Sequence, residues 1–313
     1  MRGLESLEGY RRRFMDPAVL GPHVRWVCAQ NGFSCRSILP GTAGTFPTFV
    51  VDRRVVVKLF GPLFEGRLCW RVEREAAELV RSIPSFPAAG VLAFGRLADP
   101  GWRYIVYRFV QGRSIGQARR RVSHTDLRAL ARRLGSWVRD LHALEVGART
   151  ALPRLTARKL ASWYAAKRAR GFPGWPAHLA AQADAFLSAA GLSASPITHL
   201  IHGDLTADHV LGELRHGRWR TSGVIDFGDC MRGDLFYELG ALHLDLFDAD
   251  KRLLSVFLSS YRVSREDQEG FERKAMARAI CHRFDVLGPT FARKPRLRRL
   301  DSLDEVAAAL WQV

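Results

Sequence analysis

The sequence has few cysteines and no long apolar run, and each absence argues against a class of protein. Only five of the 313 residues are cysteine, and they are scattered without the C-x-x-C spacing of zinc or redox motifs. Such cysteines are typical of free thiols in a reducing compartment. No stretch approaches the roughly 20 consecutive apolar residues of a transmembrane helix, and the first residues lack the apolar segment of a secretory signal. We therefore expect a cytoplasmic protein that does not enter a membrane.

Acidic side chains are also scarce. Lys and Arg total 48 against 31 for Asp and Glu, a net charge of +17. Such an excess indicates either an anionic partner, such as RNA or a phosphorylated substrate, or a solvated basic surface. The basic residues occur in short runs (Arg11–Arg13, Arg119–Arg121, Arg293–Arg299) without interleaved aromatic residues. This pattern favours the solvated surface and makes a nucleic-acid partner the less favoured interpretation.

Hydrophobic patterning predicts an α+β fold with a β-rich front and a mostly helical rear. β-Branched residues dominate Thr48–Val51 and Arg54–Phe60, which a short Asp52-Arg53 turn connects as a hairpin. Apolar residues recur at helical spacing from His124 to Leu144. The other predicted helices are Glu73–Ser82, Leu160–Arg170, His178–Gly191, Leu235–Phe247, Lys251–Tyr261, Gln268–Phe284 and Leu303–Trp311. We predict an N-terminal lobe over residues 1–110 and a helical C-terminal lobe over residues 111–313.

Two motifs carry the chemistry. Residues 202–209 read HGDLTADH, and residues 224–229 read VIDFGD. Phosphoryl transfer needs a carboxylate to orient and deprotonate the acceptor hydroxyl, and metal ions on the phosphate oxygens. Asp204 is the candidate base, and Asp226 is the candidate ligand of Mg²⁺.

These motifs resemble those of the aminoglycoside phosphotransferase branch of the protein-kinase fold. Protein kinases have H-R-D-x-x-x-x-N and D-F-G at these places, and Gly203 replaces the Arg as in small-molecule kinases. The resemblance extends from about Val56 to Trp311 and is closest to the hygromycin and aminoglycoside 2''-phosphotransferases. It implies a two-lobed kinase-like fold, with nucleotide bound by the front lobe. The rear lobe would carry the catalytic loop, the metal loop and the acceptor site.

The resemblance also implies roles in binding ATP or GTP. Lys58 would hold the α- and β-phosphates, and Glu75 would pair with Lys58 and aim it. Gly44 and Thr45 would cover the phosphates in a turn where small side chains let backbone N–H groups approach. Phe109, in the segment that joins the lobes, would bind the nucleobase through backbone groups.

Alternatives remain for several of these assignments. Glu73 and Glu78 compete with Glu75 for Lys58. His209 stands where most kinases have a metal-binding Asn. The 2''-phosphotransferases also carry His there, so we interpret His209 as a metal ligand; the alternative is a structural histidine, with Asp208 or water completing the site.

The resemblance implies a small-molecule hydroxyl as the acceptor, with a hygromycin-like aminoglycoside as the first hypothesis. In the family, carboxylates hold the cationic antibiotic, and the candidates on the helices after the metal motif are Glu238 and Asp245, followed by Asp248 and Asp285. The charge of +17 opposes a polycationic substrate. The alternatives are another, anionic metabolite and an RNA-directed kinase or binding protein.

Overall fold

The computed structural model describes residues 3–42, 44–191 and 198–313. The chain divides into two compact units. Unit 1 comprises Met1–Gly112, Arg149–Leu152 and Ser222–Asp229, and unit 2 comprises Arg113–Ala148, Pro153–Thr221 and Cys230–Val313. A sheet dominates unit 1 and helices dominate unit 2, so the prediction of an α+β fold is confirmed.

Unit 1 contains a five-stranded antiparallel sheet in the order β1-β2-β3-β5-β4. Its strands are β1 (Ile38–Pro40), β2 (Thr48–Val51), β3 (Val55–Phe60), β4 (Val91–Arg96) and β5 (Arg103–Arg108). The hairpin between β2 and β3 turns at Asp52 and Arg53, which both have φ near +50°. The β-branched residues of β3 account for its burial, because Val55 and Val57 lie in the core.

Two helices lie within residues 7–30 of unit 1, which the prediction of a strand-rich front missed. The helices are α1 (Leu7–Arg13) and α2 (Pro17–Gln30). Asp16 caps α2 by accepting a hydrogen bond from the Ala18 N–H at 2.8 Å, and Pro17 fits the first helical position. Leu20, Val24 and Val27 pack this helix into the core.

The helix α3 (Gly66–Val80) begins seven residues before the predicted start at Glu73. It follows two left-handed residues, Phe64 and Glu65. A Cβ atom at Gly66 would lie 2.0 Å from the Gly61 carbonyl oxygen, so only glycine fits where the helix meets that backbone.

Unit 2 is mostly helical and also contains short paired strands. Its strands are β6 (Arg113–Ser114), β7 (His199–Ile201), β8 (Val210–Arg215), β9 (Arg218–Val224, whose last three residues belong to unit 1) and β10 (Met231–Gly233). Its helices are α4 (Ile115–Ala118), α5 (His124–His142), α6 (Ala157–Ala169), α7 (Ala177–Ala180), α8 (Ala183–Ala190), α9 (Leu235–Ala241), α10 (Lys251–Tyr261), α11 (Arg265–Gln268), α12 (Phe271–Cys281), α13 (Leu287–Arg293) and α14 (Leu303–Trp311).

Three further predicted helices are interrupted or begin later than predicted. The segment predicted as one helix from His178 to Gly191 is divided into α7 and α8. The segment from Leu235 changes to a π-helical turn at Leu242–Leu246. The helix predicted from Gln268 begins at Phe271, because Gly270 has φ of +62° and cannot continue a right-handed helix.

A glycine sets how closely α5 and α10 pack. A Cβ atom at Gly135 would lie 2.4 Å from the Phe257 carbonyl oxygen and 2.9 Å from the Tyr261 nitrogen. The same crossing is joined by the Ser136 and Ser260 hydroxyls at 3.0 Å. The two helices therefore touch along their backbones.

We predict that Gly135→Ala lowers the free energy of unfolding by about 1–3 kcal/mol, because the methyl group forces the helices apart. Alanine has the higher helix propensity, so a local effect would have the opposite sign. Urea denaturation measures the change. Gly147→Ala is the control, since a Cβ atom there meets nothing within 4 Å. Equal stability of Gly135→Ala and the unmodified chain would contradict the packing account.

Candidate functional site

The functional core of unit 1 is a buried ion cluster around Lys58. The Lys58 Nζ atom, on β3, lies 2.8 and 3.0 Å from the two carboxylate oxygens of Glu73. It also lies 2.9 Å from Oδ1 of Asp226, in the loop after β9. Lys58 is 8% exposed and Glu73 is 2% exposed. The structure therefore joins the predicted phosphate-binding lysine to the predicted metal-binding aspartate.

Opposing effects act on the ionisation of this cluster. Burial lowers the pKa of Lys58, but the charges of Asp226 and Glu73 outweigh burial, so the pKa lies above its ordinary value. Burial raises the pKa of Glu73, and the charge of Lys58 opposes that rise. Lys58 therefore remains a cation at neutral pH.

The predicted pairing of Lys58 with Glu75 is wrong. Glu75 instead accepts hydrogen bonds from the Thr150 hydroxyl and from the Ala151 N–H, the latter at 2.7 Å. Positions 73 and 75 are about 200° apart around a helix, so only one of them can face β3. Glu73 precedes the buried Ala76 by three residues and shares its face, which is the periodic signal that identifies it.

The Asp226 loop has a strained backbone and a close glycine. Asp226 has φ of +67°, in the left-handed region that favours glycine. A Cβ atom at Gly228 would lie 3.2 Å from both Asp226 Oδ1 and Glu73 Oε2. Phe227 is buried and packs 6.2 Å from the Phe86 ring, which anchors the loop in unit 1. The contact of Lys58 with the Asp226 carboxylate and the packing of Phe227 against Phe86 thus hold this loop in place.

The predicted phosphate-covering turn and the predicted nucleobase segment have defined contacts. A Cβ atom at Gly44 would meet nothing within 4 Å, and the Thr45 carbonyl accepts a hydrogen bond from the Tyr10 hydroxyl at 2.8 Å. Ala43 lies outside the described residues. The Phe109 N–H donates to the Arg54 carbonyl at 2.9 Å. This donor would have to leave Arg54 before it could bind a nucleobase.

The catalytic-loop motif lies in unit 2 between β7 and β8. Asp204 has a side chain that is 20% exposed, so its carboxylate is accessible. The His209 Nδ1 atom lies 2.6 Å from the Asp204 carbonyl oxygen. Because a carbonyl only accepts, Nδ1 donates this hydrogen bond, and in the neutral ring Nε2 then carries the lone pair that a metal ligand needs.

The two predicted substrate carboxylates, Glu238 and Asp245, both accept hydrogen bonds from the backbone of this loop. Glu238 is fully buried and accepts a hydrogen bond from the Gly203 N–H at 3.2 Å. Its assignment as a substrate contact is therefore wrong, because a solute cannot reach it. Asp245 is half-buried and accepts from the Ala207 N–H at 2.8 Å. Glu238 interrupts the apolar sequence of α9, and a charged residue in such a sequence is typically buried only when it is hydrogen-bonded.

Two other carboxylates of the helical region also have partners. Asp248 pairs with Arg293 at 3.0 Å and with Lys294 at 2.7 Å. Asp285 accepts from the Gly288 N–H at 3.0 Å.

No cluster of three or more His, Cys, Asp or Glu side chains that could hold a metal ion occurs in residues 3–42, 44–191 and 198–313. A Mg²⁺ ion shared with phosphate oxygens needs only one or two protein carboxylates. The Asp226 carboxylate, an oxygen donor held by Lys58, therefore suits Mg²⁺. Within the same ranges, no helix combines the length and the apolar character needed to span a bilayer.

Comparison with known proteins identifies the fold. The model of the phosphotransferase enzyme family (APH) matches residues 48–279. A curated relative, the lysine-specific demethylase JMJ21 of Arabidopsis thaliana, is 24% identical over a match of 287 residues, and 71% of this chain is covered. The chain spans only 30% of that relative's length.

Two solved structures have the same fold. The GDP and kanamycin complex of APH(2")-IIia has a TM-score of 0.69 and 19% identity, and it covers 92% of this chain and 95% of that chain. The GDP complex of wild-type aminoglycoside 2'-phosphotransferase-IIIa has a TM-score of 0.66 and 20% identity, and it covers 92% of this chain and 96% of that chain. The predicted kinase-like fold is confirmed.

The burial of Glu238 predicts a pH-dependent stability. Burial raises the pKa of Glu238 to about 7 from its ordinary value of 4.5. The folded state therefore holds more protons than the unfolded state between these values, and stability falls as pH rises through that window. From pH 5.5 to pH 8, we expect the free energy of unfolding of the unmodified chain to fall by about 2 kcal/mol relative to that of Glu238→Gln. Urea denaturation at both pH values measures this fall, with the exposed Glu145→Gln as control. A difference that does not vary with pH would contradict the prediction.

Proposed function

Because the chain belongs to the phosphotransferase enzyme family, we propose that it transfers the γ-phosphate of ATP or GTP to a hydroxyl of a small molecule, with an aminoglycoside as the acceptor. The family match covers most of the chain. The two solved structures of the same fold are complexes with GDP, and one of them also holds kanamycin. A nucleotide donor and an aminoglycoside acceptor are the substrates that these likenesses support.

The observation that carries the proposal is the buried cluster of Lys58, Glu73 and Asp226. An ammonium that is cationic at neutral pH, aimed by one carboxylate, supplies the positive charge that the α- and β-phosphates need. Gly44 and Thr45 are proposed to cover these phosphates, and Phe109 to contact the nucleobase. Such preorganised charge accounts for most of the catalysis of phosphoryl transfer.

Mg²⁺ would be held by Asp226 and His209, and it would neutralise charge on the phosphate oxygens when bound. The protein's own reacting group is Asp204. Its carboxylate orients the acceptor hydroxyl and takes the proton as that oxygen bonds to the γ-phosphorus, while the nucleoside diphosphate leaves. The accessible side chain of Asp204 suits this role.

A second candidate acceptor is an anionic metabolite or RNA. The net charge of +17 attracts anions, the buried Glu238 is closed to a cationic solute, and Asp248 is neutralised by Arg293 and Lys294.

Asp245 remains the proposed carboxylate for a cationic acceptor, because it is only half-buried. The acceptor panel that tests the proposal therefore includes hygromycin, kanamycin, anionic sugars and RNA.

We predict that Asp204→Ala lowers the transfer rate at least about 10²-fold, because the general base is lost, while nucleotide affinity stays nearly unchanged. Asp226→Ala should weaken nucleotide binding in the presence of Mg²⁺ as well as transfer. Release of nucleoside diphosphate with each acceptor of the panel, together with calorimetric titration of the nucleotide, separates the two effects. Full turnover by Asp204→Ala would refute the assignment of the base.

Because Lys58 pairs with Glu73 and not with Glu75, these two glutamates allow a matched comparison. We predict that Glu73→Gln weakens nucleotide binding about ten-fold, because Lys58 loses one of its two charged partners. Glu75→Gln, two residues away on the same helix, should leave binding unchanged, since Glu75 contacts Thr150 and Ala151. Equal losses in both variants would contradict the role of Glu73.

A further inference from the structure

Tyr107 is directed at the same buried cluster from the neighbouring strand. In the register of β3 and β5, Tyr107 pairs with Val56 and Ile105 pairs with Lys58. Alternate residues of a strand share a face, so Tyr107 and Lys58 lie on the same side of the sheet. The Tyr107 hydroxyl donates to Glu73 Oε1 at 2.7 Å.

Two donors fix the Glu73 carboxylate from two strands. Lys58 contacts both oxygens, at 2.8 and 3.0 Å, and Tyr107 adds its hydrogen bond to Oε1. A buried carboxylate is costly unless hydrogen bonds satisfy its oxygens. A donor on β5 and a donor on β3 together define the orientation of the carboxylate plane, which one flexible lysine does not.

The Tyr107 hydroxyl also influences the position of the Lys58 ammonium. Lys58 has two anionic partners, Glu73 and Asp226, at nearly equal distances. A Glu73 carboxylate that is free to rotate would hold Lys58 less firmly against the attraction of Asp226. The position of the ammonium therefore depends on the hydrogen bond from Tyr107 to Oε1, an oxygen that Lys58 also contacts.

We propose that Tyr107 is a positioning residue, whose hydroxyl orients Glu73 and through it sets Lys58 for the nucleotide phosphates. This inference depends on the proposed function, because it takes Lys58 as the phosphate-binding lysine. Tyr107 acts on the nucleotide through Glu73 and Lys58.

The test is the affinity of Tyr107→Phe for MgATP and MgGTP, measured by calorimetric titration without an acceptor. We expect the dissociation constant to rise about ten-fold, as for loss of a hydrogen bond to a charged group. Tyr104→Phe is the matched control. Tyr104 lies on the same strand and is also buried, but its hydroxyl accepts a hydrogen bond from Asn31 at 3.2 Å. The affinity of this control should not change.

The titration also separates positioning from a loss of folded protein. A merely structural defect lowers the binding stoichiometry and leaves the dissociation constant of the folded fraction unchanged. An unchanged dissociation constant for Tyr107→Phe would overturn the proposal.

Double variants identify the route of the effect. In a Glu73→Ala or a Lys58→Met background, Tyr107→Phe should cause no further loss, because the residues through which it acts are already absent. A further ten-fold loss in either background would show that Tyr107 contacts the nucleotide directly, and the proposal would be wrong. Two backgrounds are used so that one folding failure does not remove the test.

The outcome for Tyr107 is distinguishable from the outcome for the proposed function. A chain that binds nucleotide but phosphorylates no acceptor overturns the proposed function, while the affinities still decide the role of Tyr107. A chain that binds neither nucleotide overturns both.

Discussion

A lysine ammonium buried between two carboxylates is the constraint on which the functional part of unit 1 depends. Removing a charge from water costs several kcal/mol unless partners surround it. Glu73 from α3 and Asp226 from the loop after β9 supply those partners for Lys58. Much of the local sequence serves this arrangement, including Gly66 at the start of α3 and Gly228 beside both carboxylates. With one cation and two carboxylates, the ionised cluster is net negative, which suits a divalent metal ion beside it.

In unit 2, carboxylates hold the backbone of the catalytic loop. Glu238 and Asp245 accept hydrogen bonds from Gly203 and Ala207, on the two sides of Asp204. Gly203 has φ of +78°, so the loop adopts a conformation that few other residues would allow. Two carboxylates of a chain poor in acidic residues thus stabilise the loop that presents the proposed base.

Features with strong local signals could be predicted from the sequence, and features decided by tertiary contacts could not. The strand Thr48–Val51 and the helices Lys251–Tyr261 and Leu303–Trp311 have the predicted bounds, because apolar period and capping residues agree there. The pair of motifs around Asp204 and Asp226 led to the correct family. Glu75 was chosen by resemblance to a family pattern, although helical period selects Glu73. The hydrogen-bond partner of Glu238 is the Gly203 N–H, which is distant in the sequence, so no local pattern specified it.

The central claim is that nucleotide phosphates bind at Lys58, and an affinity label tests it most directly. A nucleoside triphosphate analogue with an acyl group on its terminal phosphate transfers that group to a lysine amine within reach of the phosphates. Mass spectrometry of the labelled chain then identifies the modified lysine. The account predicts that Lys58 is acylated and that an excess of unmodified ATP or GTP protects it. Acylation of another lysine, with Lys58 unmodified and no protection by nucleotide, would contradict it.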